Sequence, residues 1–449
     1  MTHTHHHRRP RLTAVTLAIG AALAAPHAHA DTQDELKMLR AQIEALQKSL
    51  ASLEQKQARI ETQVAPANAV TAGATKGSFK LPGSDTSVKF GGYVKLDAIY
   101  SNRSAGANSQ ADLVLVPAQI PVGSAAANEK GQVKLHARQT RLNVGTHTPT
   151  SWGDLNTFVE IDFFGSDGNE VISNSNNLRA RHAFASLGGL TVGQTWSTFM
   201  DPASLPETLD FGGPVGETFV RQGLVRWHQK FEGGGWTVAL ENPDAFLTRR
   251  NTNGSYTNLT PDDDRVPDIV AKLDFNTAAG RFAVAALARN IRVDTAAIAG
   301  TAVAAEDDVW GGALAVYGSI PTVGKDSFNV LLAGGNVLGR YMGQAVFTDA
   351  DIDASGKLNL NPQWGTILSY RHFWSDRLRS TLALSAARAS NPGIAGAMNK
   401  ASHTAHLNLL WNPVPAATLG VEYIHGRLEK ESGLKGNLNR VQTSAQYAF

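Results

Sequence analysis

The feature that most constrains this chain is a period of two that recurs from Thr86 to Phe449. In SVKFGGYVKLDAIY, Val88, Phe90, Val94, Leu96, Ala98 and Tyr100 share one parity. Lys89, Tyr93, Lys95 and Asp97 share the other, with Ile99 as the exception. Successive side chains of a strand point to opposite faces, so such a segment has one apolar face and one wet face. DLNTFVEIDFF sets Leu155, Val159, Ile161 and Phe163 against Glu160 and Asp162. DRLRSTLALS sets Leu378, Leu382 and Leu384 against Arg379 and Thr381, and TLGVEY sets Leu419, Val421 and Tyr423 against Glu422.

Counting such segments predicts strands at 86–101, 130–147, 153–165, 178–187, 190–198, 220–231, 236–243, 266–275, 281–293, 309–319, 327–341, 357–373, 378–389, 401–411, 417–429 and 438–449. Their links alternate. GG at 188–189, EGGG at 232–235, SDR at 375–377 and NPVPAA at 412–417 are short; those near 102–129, 199–219, 244–265 and 342–356 are long. Sixteen strands with turns at one end and loops at the other are the layout of a bacterial outer-membrane barrel. The segment RVQTSAQYAF ends on an aromatic residue, as such barrels do. Trp152, Trp236, Trp374 and Trp411 lie near expected short turns, where an aromatic girdle would sit. The expected fold class is an all-β transmembrane barrel of 16 antiparallel strands, preceded by an N-terminal α-helical coiled coil.

Residues 1–30 read as a signal peptide, with Arg8, Arg9 and Arg11 before an apolar run from Leu12 to Ala25 and AHA before Asp31. Their removal takes away three of 41 basic residues and no acid, leaving 38 against 39. That balance disfavours a general nucleic-acid binder. The chain has no cysteine, so an exported protein of this kind relies on a large hydrogen-bonded core or on a membrane. Beyond the signal, no apolar run approaches the ~20 residues of a membrane helix.

Within 31–65, Leu36, Leu39, Ile43, Leu46, Leu50, Leu53, Ile60 and Val64 step by three and four, broken by Gln57. This a/d seam predicts a helix about 43 Å long at 1.5 Å per residue, with an apolar stripe too narrow to bury alone. The alternative is a helix packed on its own domain. APANAVTAGATKG, within the expected linker 66–85, argues against tight docking. The barrel domain would then occupy 86–449.

Several stretches resemble the DcaP-like trimeric porins: VKFGGYVKLDAIY (88–100), FVEIDFFG (158–165), LRARHAFASLGGLTVGQTWSTFMDP (178–202), PETLDFGGP (206–214) and SYRHFWSDRLRSTLALS (369–385), together with the terminal Phe449. The resemblance implies a sixteen-stranded homotrimeric channel in the outer membrane of a Gram-negative bacterium. It also implies a periplasmic coiled coil and a preference for small anions such as dicarboxylates.

In porins of this size the loop after strand five folds into the lumen. Here that loop is Phe199 to Phe219, carrying Asp201, Glu207, Asp210 and Glu217, with prolines and glycines to bend it. Parity nominates Lys95, Arg138, Arg179, Arg181 and Arg226 for the facing wall. Arg141 joins them only if a bulge intervenes, and the change of apolar parity from Val133 and Leu135 to Leu142 and Val144 suggests one. An arginine ladder facing loop acids makes a transverse field that draws carboxylates. Asp97, Glu160, Asp162, Glu241 and Glu422 share the inward parity, however, and would pair with arginines as structural bridges. Selectivity therefore depends on which charges line the narrowest point.

Other constellations are weak. DADIDASG (349–356) has calcium-like spacing, but Ala354 and Leu360 stand where a glycine and a bidentate acid are needed. It reads as a polar extracellular loop, as does PDDDR at 261–265. His403 and His406 face opposite sides of a strand and share no metal. No HExxH, GxSxG or Walker motif occurs, and no catalytic set or cofactor is expected. The competing classes are a general or cation-preferring porin, a barrel-anchored enzyme or adhesin, and a soluble exported β protein.

Overall fold

A computed structural model describes residues 32–62, 70–103, 112–124, 131–166, 172–300, 302–391 and 396–449. The expected signal segment and the first part of the linker lie outside these residues. The chain divides into two units, Met1–Ala69 and Val70–Phe449.

In the first unit, α1 spans Thr32–Thr62. Leu36, Leu39, Ile43, Leu46, Leu50 and Leu53 are all exposed on it, between 53 and 69%. Among the described residues, none covers that seam.

In the second unit, sixteen strands close into a barrel. They are β1 Ser87–Ser101, β2 in two pieces (Gln132–His136 and Arg141–Thr150), β3 Gly153–Asp162, β4 Arg179–Leu187, β5 Leu190–Trp196, β6 Arg221–Phe231, β7 Gly234–Glu241 and β8 Asp268–Thr277. There follow β9 Gly280–Thr295, β10 Ala305–Pro321, β11 Ser327–Gly335, β12 Gln363–Phe373, β13 Leu378–Ala389, β14 Asn399–Trp411, β15 Ala417–Lys430 and β16 Lys435–Ala448. Each strand is antiparallel to its neighbours, and β16 returns to β1 with Val441 opposite Tyr100 and Tyr447 opposite Val94. Closure leaves no free edge. Short pieces at Thr71–Ala72 and Phe79–Lys80 pair beside the start of β1.

The outer face is apolar all round. Val94, Leu96, Val133, Leu135, Leu314, Val316, Leu382, Leu384, Leu407, Leu409, Leu419 and Val421 are all exposed. A belt of this extent is untenable in water and is the expected surface in lipid. Polar and charged groups turn inward, where Asp97, Asp162, Arg181, Glu422 and Arg440 are nearly or fully buried.

The parity shift in the second strand has a local cause. Pairing of β1 with β2 stops at Asp97 opposite His136 and resumes at Tyr93 opposite Arg141. Four steps on one strand thus match five on the other, which is a bulge. Arg138 and Arg141 consequently turn to the same side as His136. Opposite the bulge Gly92 holds φ +150°, and a Cβ there would lie 2.2 Å from the Arg141 carbonyl oxygen. The second glycine of FGGY is the residue that admits this approach.

Two expected loops are more than loops. Leu247–Arg250 pairs antiparallel with Tyr256–Leu259 and parallel with Ala350–Ile352, which pairs in turn with Leu358–Leu360. This four-stranded sheet packs Leu247, Ile352 and Leu358 on Ile291 and Val293 of β9 and on Val337. DADIDASG is therefore not a polar surface loop. Asp349 and Asp351 are fully buried; Asp349 accepts hydrogen bonds from Arg289 and the Phe246 N–H, and Asp351 from Asn361. Burial pushes the Asp351 carboxyl up to about 6. Asp353 instead closes a turn onto Ser355 and the Lys357 N–H, whose hydrogen bonds hold it at about 2. The same sheet explains two boundary differences. β11 ends at Gly335 rather than 341, and β12 starts at Gln363 rather than 357, because Pro362 has no N–H to continue the ladder.

Candidate pore constriction

The segment between β5 and β6 folds into the barrel, and its acids are held there. Asp201 receives two hydrogen bonds from Arg281 (2.6 and 2.8 Å) and others from Lys272 (2.9 Å) and Ser204 (2.6 Å). Burial alone would raise its carboxyl, but these donors outweigh burial and hold it at about 2. Glu207 takes a two-pronged grip from Arg379 of β13 at 2.8 and 2.5 Å. Asp210 accepts from the Leu115 N–H at 2.9 Å and stands 3.7 Å from Arg440.

The backbone is gripped as firmly. Glu422 of β15 accepts from the Leu209 N–H at 2.7 Å, and also from Asn408. Lys95 of β1 and Gln442 of β16 donate to the Leu209 carbonyl at 3.1 and 3.0 Å. Asn408 donates to the Glu207 carbonyl, and the Tyr317 hydroxyl to that of Phe199. Glu217 is the exception. It is buried with no ion pair among the described residues, and burial first, then Asp210, pushes its carboxyl up to about 8.

The arginines stand mostly elsewhere. On β4, Arg179 meets Asp162 at 3.0 and 2.7 Å, and Arg181 bridges Glu160 (2.7 Å) and Asp162 (3.0 Å). Arg141 lies 3.6 Å from Glu160. The three guanidiniums surround one ring of the inward loop, Phe211, with centroid distances of 5.7 Å (Arg141), 5.5 Å (Arg179) and 5.2 Å (Arg181). Phe164 stacks on the same ring at 5.0 Å. Trp196 lies between Arg181 (5.7 Å) and Arg221 (4.9 Å). Side-chain exposure separates the roles: 32% for Arg179 and 21% for Arg141, but 2% for Arg181.

Arg141, Arg179 and Arg181, nominated from sequence, are thus brought together. Arg138 is buried in the bulge beside His136. Lys95 pins the loop, and Arg226 reaches back to the Trp196 carbonyl at 3.4 Å. The expected geometry, loop acids facing arginines across a gap, is corrected for Asp201, Glu207 and Asp210: each is tied to a different part of the wall. Sequence reasoning missed Phe211, Trp196 and Arg221. Arg221 has the parity opposite to Arg226, which hid it. Phe211 had one signal, an aromatic before two glycines at the bend of the inward loop.

A closed barrel with a lipid-suited outer belt, a charged interior and a loop folded across its lumen is an outer-membrane channel of the porin class. The chain belongs to the DcaP outer membrane protein family, whose model matches residues 22–449. It is similar to the outer membrane channel DcaP of Acinetobacter baumannii, with 22% identity and a TM-score of 0.69, over 83% of this chain and 100% of that one. It is also similar to the anion-selective porin from Comamonas acidovorans, with 12% identity and a TM-score of 0.51, over 81% of this chain and 100% of that one. OmpT of Vibrio cholerae gives 10% and 0.51, over 81% and 98%. What these share is the fold. No curated protein sequence shows a significant match to the chain. Family and fold together assign it to the outer membrane of a Gram-negative bacterium.

Proposed function

We propose that this porin passes small hydrophilic solutes with a preference for anions, dicarboxylates among them, past a constriction formed by loop 199–219. The observation that carries this reading is the cluster of Arg141, Arg179, Arg181 and Arg221 around Phe211 and Trp196, where four cations meet two carboxylates, Glu160 and Asp162. Three of the loop acids that would cancel the excess are engaged with other cations. Two partly exposed guanidiniums at a low-dielectric wall bind a carboxylate by charge-assisted hydrogen bonds, and an anion with two carboxylates engages both.

The reading extends to assembly. The bare seam of α1 supports a homotrimer held by a coiled coil over 31–65 in the periplasm, exported by signal 1–30 and joined to the barrel by linker 66–85. Porin barrels are commonly trimeric, which selects three over two; the mixed Leu and Ile seam does not.

The experiment is reversal potential in a KCl gradient across a planar bilayer. The wild type should favour chloride, and succinate should block current. Arg141→Ala with Arg179→Ala should move the ratio toward cations and abolish block. An unchanged ratio and unchanged block would falsify the assigned wall. A cation-preferring wild type would instead favour the general-porin reading, to which Glu160 and Asp162 on the same wall lend support.

A further inference from the structure

The outer surface carries a second feature that solute passage does not use. On three adjacent strands the apolar belt ends in basic side chains: Arg388 on β13, His403 on β14 and Arg427 on β15. Their register makes them neighbours. His403 stands opposite both Ala386 and Arg427, and Arg388 opposite Ala401, so the two arginines flank the imidazole. All three are exposed, with the same outward parity as Leu382, Leu384, Leu407 and Val421. Neither guanidinium makes a hydrogen bond or a close ion pair among the described residues; Arg427 meets Ser402 only through its carbonyl.

Depth fixes what lies beside them. From Leu378, at the short-turn end, to Arg388 is about 34 Å at 3.4 Å per residue, or about 26 Å of height at a tilt near 40°. That matches an apolar belt roughly 25 Å tall, so the row stands where acyl chains give way to headgroups on the long-loop side. Two residues from Arg427, Glu429 is paired with Lys435 (3.3 Å) and Lys400 (3.7 Å), whose charges act on it more strongly than that of Arg427. The same rim on β10 is acidic, with exposed Glu306 and Asp308, so the basic row is local. Level with Arg388, which pairs with Trp364, the outer wall has a polar-edged groove, and on its membrane side Leu314, Val316, Leu332 and Trp364 line an apolar hollow of about 430 Å³.

We propose that Arg388, His403 and Arg427 dock a phosphate of an outer-leaflet glycolipid of lipid A chemistry, with an acyl chain lying in the apolar hollow beside Trp364. The guanidiniums suit a phosphate by paired, charge-assisted hydrogen bonds. The hollow, part of the lipid-facing belt and walled by Leu314, Val316, Leu332 and Trp364, suits a chain rather than water. The proposal does not depend on which ions the pore prefers.

The test uses the full chain purified in detergent and native mass spectrometry of retained lipid. Bisphosphorylated lipid A is compared with its dephosphorylated form and with phosphatidylglycerol. Arg388→Gln with Arg427→Gln keeps a polar, hydrogen-bonding side chain and removes charge. Wild type should retain bisphosphorylated lipid A at about thirtyfold lower lipid concentration than this variant, from the loss of two surface cations. The dephosphorylated lipid should show no difference between them. Unchanged bilayer conductance confirms that the variant is folded. Equal retention by both proteins overturns the site. So does phosphatidylglycerol binding as well as lipid A, since the row would then read charge alone. A variant that changes the oligomeric state also overturns it, because the row would then be a contact between protomers.

Discussion

Two sides of the same lumen use the same residue types to opposite ends. Around β13 to β16, β1 and β8 to β9, cations and carboxylates are matched: Arg379 with Glu207, Arg281 and Lys272 with Asp201, and Lys95 and Glu422 with the backbone at Leu209. Across β2, β4 and the start of β6, cations exceed acids and rest against aromatic faces instead. Matched buried charges give rigidity and little outward field. An excess of partly exposed guanidiniums gives a field and, with Arg181 holding Glu160 and Asp162, only as much rigidity as it needs. The loop is fastened by the first side and presents Phe211 to the second.

The largest effect should come from breaking the fastening. Glu422 is fully buried and serves the Leu209 N–H, Asn408 and His406. Glu422→Ala leaves the Leu209 N–H and His406 without that acceptor and Asn408 with only the Glu207 carbonyl, at a local cost of about 3–5 kcal/mol by the behaviour of broken buried pairs. Amide exchange over 199–219 should quicken sharply, and single-channel current should become noisy. If exchange there stays at the wild-type rate, the clasp does not hold the loop.

Next in size is the wall. Arg141→Ala with Arg179→Ala should change the anion-to-cation permeability ratio about tenfold, or ~1.4 kcal/mol, with amide exchange in the loop unchanged. Arg379→Ala should do the reverse, loosening the loop with little shift in reversal potential. If both variants move both readouts together, the division of labour between the two sides is wrong.

A smaller effect is expected from pH. Glu217 has a folded-state carboxyl raised to about 8 from an ordinary 4.5, so the folded loop binds the extra proton between those values. Its contribution to stability is complete below about 4.5 and is lost as pH rises through 8. Asp201, held at about 2, works the other way: its contribution is present above 3.8 and lost as pH falls toward 2. Current noise should therefore grow between pH 7 and 9, and Glu217→Gln should flatten that rise. A rise of equal size in Glu217→Gln would show that some other group titrates.

The barrel was legible in the sequence because its signal is repeated. Each strand has to present apolar groups to lipid at every second position, and the register of one hairpin supports the next. The change of parity at Leu142 announced the bulge and, through it, the side on which Arg141 lies. The partners of the loop acids were not legible. Asp201 meets Arg281 and Glu207 meets Arg379, residues 80 and 172 positions away, and parity says which way a side chain points but not where an irregular loop will run. The sheet formed by 247–259 and 350–360 was hidden for a related reason. Its strands are three or four residues long and pair across a hundred positions, too short for a period to declare itself.

The smallest effect on transport should come from the helix. The barrel closes by its own β16–β1 pairing, and the constriction residues described above all belong to the second unit. Yet Leu36, Leu39, Ile43, Leu46, Leu50 and Leu53 form a continuous exposed stripe, and its burial is worth roughly 1.5–3 kcal/mol for each large side chain fully covered. In the assembly proposed above, the helix would stabilise association without shaping the channel. Deleting 31–65 while keeping residues 1–30 should lower the temperature at which the oligomer dissociates, read by semi-native electrophoresis over a heating series. Conductance per barrel and the reversal potential should stay within about a tenth of wild type, because the wall and the clasp remain intact. A matched control, Leu39→Lys with Leu46→Lys, places charges in the seam without shortening the chain, and should weaken the oligomer to a similar degree. If the deletion dissociates oligomers and the seam substitutions do not, the segment acts by some contact other than its seam. If neither does, the barrels hold one another and the helix has a different partner.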